Sequence, residues 1–96
     1  MRTQWRGSHP GKATPGFEWD EAKRGANLVK HGIDFVDALE VFADPLRIER
    51  IDTHPEHREE RHQVVGAVGD QVVFVVYTLR GNARRMISAR REGEQE

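Results

Sequence analysis

The run Val72–Leu79 constrains this chain more than any other stretch, because it contains only Val, Phe, Tyr, Thr and Leu. A span of that length suits a strand and falls short of a typical helix, and β-branched and aromatic side chains pack well on a pleated surface. Gly81-Asn82 then supplies a two-residue turn, and Ala83–Arg90 leads back with Met86 and Ile87 inside a basic frame. Gly69-Asp70 supplies a second such turn between Arg61–Val68 and the central run. The sequence therefore predicts an antiparallel meander. From Leu79 to Arg91 it carries Arg80, Arg84, Arg85, Arg90 and Arg91 and no acid.

Two-residue turns fix a register. Arg80 then faces Ala83 and Thr78 faces Arg85; across the other turn, Val68 faces Gln71 and Arg61 faces Thr78. Facing residues point the same way, so Arg61, Thr78 and Arg85 form one row across three strands, with Arg80 two residues further along the same face. With strands roughly 4.8 Å apart, Arg61 and Arg85 straddle Thr78 at about 10 Å between backbones. Long guanidinium arms can converge on one phosphate across that gap. The rest of this face (Val65, Phe74, Val76, Ile87, Ala89) is apolar, so the expectation is a face that is half core and half cation cluster. The alternative reading is a set of solvated arginines, or arginines paired with Glu59, Glu60 and Asp70.

Upstream, the Gly- and Pro-containing stretch 1–16 has no period and reads as a flexible lead-in. Phe17-Glu18-Trp19 reads as a short strand, and Asp20 is a good N-cap for a helix with Ala22, Ala26 and Val29 at helical spacing, closed by His31-Gly32. Asp34 caps a second helix, in which Phe35, Ala38, Leu39 and Phe42 make one apolar stripe and Asp44-Pro45 is the stop. Residues 46–52 read as an edge strand, and 53–60, with Pro55, as a loop. The order is β-α-α-β-β-β-β. Helices first and a meander afterwards give an α+β fold, a small antiparallel β-sheet with two N-terminal helices packed on it. The domain spans 17–91, with a short tail over 92–96.

Ninety-six residues allow one domain, and a formal charge of −1 excludes nucleic-acid affinity from bulk electrostatics, so any such affinity must come from local segregation of charge. The absence of cysteine excludes a disulfide framework and thiolate chemistry and fits a cytoplasmic protein. No apolar run reaches membrane-spanning length. His54, His57 and His62 suggest metal at first sight, but Pro55 and charged neighbours suggest a loop, and no carboxylate or cysteine completes a known zinc spacing. Neither a metal nor a cofactor is expected. Trp19 reads as core, His31 as a group near the last carbonyls of its helix, and Lys23 as a surface lysine.

Phe17-Glu18-Trp19-Asp20, Lys23, Asn27, Lys30-His31-Gly32, Phe35, Ala38, Phe42 and Asp44-Pro45 together resemble the opening of BrnT-family toxins. The likeness continues through Glu60-Arg61, Gly66, the Val-rich strand, Thr78-x-Arg80-Gly81 and Arg85-x-Ile87-Ser88-Ala89-Arg90. It covers most of 17–91. No single motif is specific; their order is.

The resemblance implies a RelE-like fold and a ribonuclease toxin of a type II toxin–antitoxin pair. It implies a bacterial, cytoplasmic protein that cleaves RNA without metal, inhibits translation and growth, and is neutralised by a BrnA-type antitoxin, as a homodimer or a heterotetramer. Operator DNA would be bound only through the antitoxin complex. In such enzymes the 2′-hydroxyl of the RNA attacks the adjacent phosphate, and the protein positions the strand, neutralises the phosphorane and moves protons. On that basis Arg61, Arg80 and Arg85 are the expected catalytic cations with Lys23 as an auxiliary. Arg84, Arg90 and Thr78 are the expected RNA contacts, and Glu60, His62 and His31 the candidates for proton transfer. Relatives continue past the Ser-Ala-Arg element into a terminal helix rich in Lys, Arg and Glu, whereas 91–96 is short and acidic, and the sequence departs from the family pattern there. A non-catalytic module that binds nucleic acid or an antitoxin as a co-repressor is the alternative.

Overall fold

The computed structural model of the chain describes residues 16–53 and 60–93. Residues 1–15 of the lead-in stretch, His54, His57 and Glu59 and the last three residues lie outside the described residues. The elements are β1 (Phe17–Glu18), α1 (Glu21–His31), α2 (Phe35–Ala38), a 3-10 segment (Leu39–Ala43), β2 (Ile48–Asp52), β3 (Arg61–Val68), β4 (Gln71–Arg80) and β5 (Ala83–Arg91).

The helix ends follow the local chemistry. The Asp20 carboxylate accepts the Ala22 N–H at 2.8 Å, and Gly32 ends α1 at φ 73°, donating its N–H to Leu28 O at 2.8 Å. Asp34 caps α2 through the Val36 N–H at 3.0 Å and also receives a forked pair from Arg24, at 2.8 and 3.0 Å. The apolar stripe 35–42 is not one helix: α2 is a single turn and the chain tightens to 3-10 from Leu39. Val41 approaches Gly66 so closely that a Cβ there would stand 2.6 Å from Val41 Cγ2.

The five strands are ordered β1-β5-β4-β3-β2. The meander β2 to β5 is antiparallel with the expected register: Val68 opposes Gln71, Thr78 opposes Arg85 and Arg80 opposes Ala83. The sheet as a whole is mixed rather than antiparallel, because β1 runs parallel to β5, with Phe17 opposite Arg84 and Glu18 opposite Arg85. No turn links those two strands. The chain passes through both helices and the whole meander before it returns.

The core occupies one side only. Trp19, Ile33, Phe35, Ala38 and Val41 pack against Val64, Val73, Val75, Tyr77, Met86 and Ala89. Sequence periodicity alone assigned the core to the other face, that of Val65, Phe74 and Val76, and the structure corrects this. The central run is apolar on both sides, so its pattern does not say which side the helices cover. A register shift between Val76 and Tyr77 makes Ile87 the extra residue of a bulge. Ala89, expected beside Phe74, consequently turns into the core.

Candidate functional site

The face of the sheet away from the helices has no described element packed over it. Its residues follow from the register. Asp52 opposes Arg61, and the pairing of His62 with Tyr77, carried one residue on, sets Arg61 against Thr78. Thr78 opposes Arg85, and Arg85 opposes Glu18. The row Asp52–Arg61–Thr78–Arg85–Glu18 therefore crosses all five strands in the order acid, arginine, threonine, arginine, acid.

The arginine row expected from the turns is present, and its chemistry is sharper than the register alone conveys. Thr78 is 2% exposed, and its hydroxyl donates to Glu60 O at 2.8 Å. The hydroxyl is thus committed to the backbone that leads into β3, and Thr78 is the floor of the row rather than a contact at its surface. Arg61 is half-buried, and its Nε is enclosed without a hydrogen-bond partner. Arg85 donates from Nη1 to Glu18 Oε2 at 3.0 Å, with both side chains about a quarter exposed. Of the guanidinium's five donors this uses one. The acids weighed as partners from the sequence were Glu59, Glu60 and Asp70. Glu18 was not among them, because only the parallel pairing of β1 with β5 places it there.

The other candidates divide. Arg80 is exposed and stands on the same face, two residues beyond Thr78. Arg90 is also on this face, opposite Phe74, with its Cζ 4.7 Å from the ring centroid. Arg84 is not: alternation along β5 turns it to the helix side, where its Cζ lies 4.8 Å from the centroid of Phe42 and 5.5 Å from those of Phe17 and Tyr77. Lys23 is exposed on α1, in the layer over the opposite face, and does not join the row. Of the acid–base candidates, His62 stacks on Tyr77 on the helix side, at 5.0 Å, and His31 is buried at the end of α1. Glu60 is exposed and adjoins Arg61.

A second polar group closes the core at the Arg84 end. Tyr77 donates its hydroxyl to Glu49 Oε1 at 2.8 Å, and Arg47 Nε bonds Glu49 Oε2 at 2.7 Å. Burial pushes the Tyr77 hydroxyl upward, with Arg84 opposing and Glu49 adding to the rise. Burial acts against ionisation of Glu49, yet its bonds from Arg47 and Tyr77 outweigh it and hold the carboxyl below the usual range. This carboxylate is tied on both oxygens, which suits a structural seam. Among the described residues no group of three His, Asp or Glu side chains is placed to hold a metal ion. No described helix is long and apolar enough to cross a membrane.

No curated protein matches the chain. The family model for the ribonuclease toxin BrnT of type II toxin–antitoxin systems matches residues 19–96, which takes in α1 and α2, the whole meander and every arginine of the row. The chain belongs to the BrnT family of ribonuclease toxins of type II toxin–antitoxin systems.

Proposed function

We propose that the protein cleaves RNA without a metal, by attack of the 2′-hydroxyl on its own 3′-phosphate, with the phosphate seated over Thr78 between Arg61 and Arg85. The observation that carries this reading is the pair of guanidinium groups flanking one buried threonine on a face that no described element covers. The new O2′–P bond forms as the P–O5′ bond breaks, leaving a 2′,3′-cyclic phosphate and a 5′-oxygen that takes a proton from water to become the 5′-hydroxyl. Negative charge grows on the equatorial oxygens in between, and Arg61 and Arg85 stabilise it more strongly there than in the ground state. Arg80 holds the neighbouring phosphate. Glu60, exposed beside Arg61 and anchored through its carbonyl by Thr78, takes the 2′-hydroxyl proton. Glu18 orients Arg85. Lys23 and Arg84, which the sequence grouped with the site, have no part in this scheme.

Cleavage by such a site inhibits translation and growth, and a BrnA-type antitoxin neutralises the toxin by covering this face. DNA is then bound only by the toxin–antitoxin complex. The test is cleavage of RNA in EDTA by the purified protein without its partner. Arg61→Ala and Arg85→Ala should each lower kcat by roughly two to three orders of magnitude, the range for losing one charge-stabilising donor, with an unchanged far-UV spectrum. RNA bound but never cut, with affinity falling steeply as salt rises, would replace this reading by a binding module.

A further inference from the structure

The row of arginines is not alone on the open face. Two rows along the sheet, Ile48, Val65, Phe74 and Arg90 stand side by side on four strands, as set by Ile48 opposite Val65, Val65 opposite Phe74 and Phe74 opposite Arg90. Ile48 is 71% exposed, and Val65, Phe74 and the intervening Val76 are half-buried with no described element over them. An apolar strip in that position is uncommon on a sheet that already has its core on the other side. Arg90 already lies over the Phe74 ring at 4.7 Å. Thr78 lies four steps along β4 from Phe74, about 13 Å at roughly 3.3 Å per residue. That is about two nucleotide repeats of extended backbone.

We infer that Phe74 and Arg90 form a base-stacking subsite, so that the substrate is single-stranded RNA with an unpaired base about two nucleotides from the phosphate over Thr78. The inference rests on the reading of Arg61 and Arg85 as the phosphate site and adds the class of RNA. The charges match the ligand: Arg80 and the Arg61–Arg85 pair follow the sugar-phosphate chain along β4, and the apolar strip ahead of them takes bases. A π-face is common to every base, so the subsite selects for strandedness rather than sequence. Paired bases, stacked inside a duplex, cannot reach a flat strip of this kind.

The experiment compares a single-stranded RNA octamer with a dinucleoside monophosphate, which occupies the cleavage position but cannot reach Phe74. For the unaltered chain, kcat/KM should favour the octamer, and Phe74→Leu should cut that advantage roughly tenfold, the size of one lost base stack; Arg90→Gln should do the same. Phe74→Leu keeps the bulk of the side chain, so the fold is retained, and a far-UV spectrum checks this. Equal preference in the unaltered chain and both variants overturns the subsite. So does a Phe74→Leu protein that has lost only its grip on an antitoxin, since the strip is then a protein-docking surface. Binding of a 2′-O-methyl octamer, which cannot be cut, separates the two proposals. If the protein cleaves nothing, the ribonuclease scheme fails, but a dissociation constant raised about tenfold by Phe74→Leu still upholds the subsite, and an unchanged one removes it.

Discussion

Replacing Asn27 by alanine should destabilise the protein more than any surface change. Asn27 is 7% exposed, and its amide makes three bonds across α1, the loop after it and β5. Nδ2 donates to Ile33 O at 2.9 Å and to Ala89 O at 2.8 Å, while Oδ1 accepts the Ala89 N–H at 3.0 Å. The reason such a residue is needed is topological. β1 lies opposite Arg84 and Arg85, near the start of β5, and at Ala89, further along, it is the side chain of Asn27 that bonds the backbone of β5. Alanine leaves two carbonyls and one N–H buried without partners. At about 1 kcal/mol for each lost bond, and more where water cannot reach, the loss comes to about 3 kcal/mol. For a chain of this length that lowers Tm by roughly 12–24 °C, measured by thermal unfolding followed at far-UV wavelengths. Asn27→Asp gives a sharper check. It keeps the acceptor but turns a carboxylate toward two carbonyl oxygens, so the introduced carboxyl has a folded pKa above its unfolded value of about 3.9. A raised acid pKa means that the deficit is present at neutral pH and shrinks as pH falls through the raised value. A Tm for Asn27→Ala within about 4 °C of the parent, the shift expected for less than 1 kcal/mol, would refute the argument.

Gly66→Ala should cost about 1–3 kcal/mol through the clash with Val41, and the two changes Gly66→Ala and Val41→Ala should be non-additive in urea unfolding; strictly additive losses would count against the contact. The Asp34 carboxyl is held low, chiefly by its hydrogen bonds from Arg24, so its stabilisation is present above the ordinary carboxylate pKa of about 3.9 and is lost as pH falls through the lower folded value. Asp34→Asn keeps a cap acceptor but loses the charge, so it should lower stability by about 0.5–1 kcal/mol at neutral pH, with the gap to the parent closing in acid; a gap that does not change with pH would refute the charge contribution. Glu18→Gln should reduce kcat about tenfold with KM little changed, as expected when a catalytic group loses its orientation, and Glu18→Asp should recover part of it; a kcat equal to the parent's in Glu18→Gln would remove Glu18 from the scheme.

The meander was legible in the sequence because Gly69-Asp70 and Gly81-Asn82 leave little choice of register. Gly69 and Gly81 adopt φ 62° and 58°, which suits the turns for which glycine was the signal. The arginine row came with that register. Three things had no local signal. Glu18 meets Arg85 across 67 positions of chain through a parallel contact, and parallel pairs carry no connecting turn. The bulge at Ile87 redirects Ala89, and no glycine or proline stands at Met86-Ile87-Ser88 to announce it. Which face becomes core was hidden because valines stand on both sides of β4, and only the partners Trp19, Phe35 and Val41 decide it. Arg84 follows from the same limit. Next to Arg85 in sequence, it looks like part of one cluster, yet alternation sends it to the other side of the sheet.

On the proposed reading, the composition of the row also bears on how a chain of net charge −1 would address a polyanion. Asp52 and Glu18 close the row at its two ends, so its five residues are neutral by formal charge and attract little from a distance. Affinity then has to come from contact: guanidinium groups carried on backbones about 10 Å apart, a buried hydroxyl that fixes the backbone between them, and an apolar strip further along β4. A uniformly basic face would bind any nucleic acid at a rate governed by charge. A row whose cations are half-satisfied until a phosphate arrives at the right spacing discriminates by geometry instead. On that reading the Glu18–Arg85 bond is where the discrimination would act, since a phosphate arriving at the proposed site has to compete with a carboxylate 3.0 Å from the guanidinium.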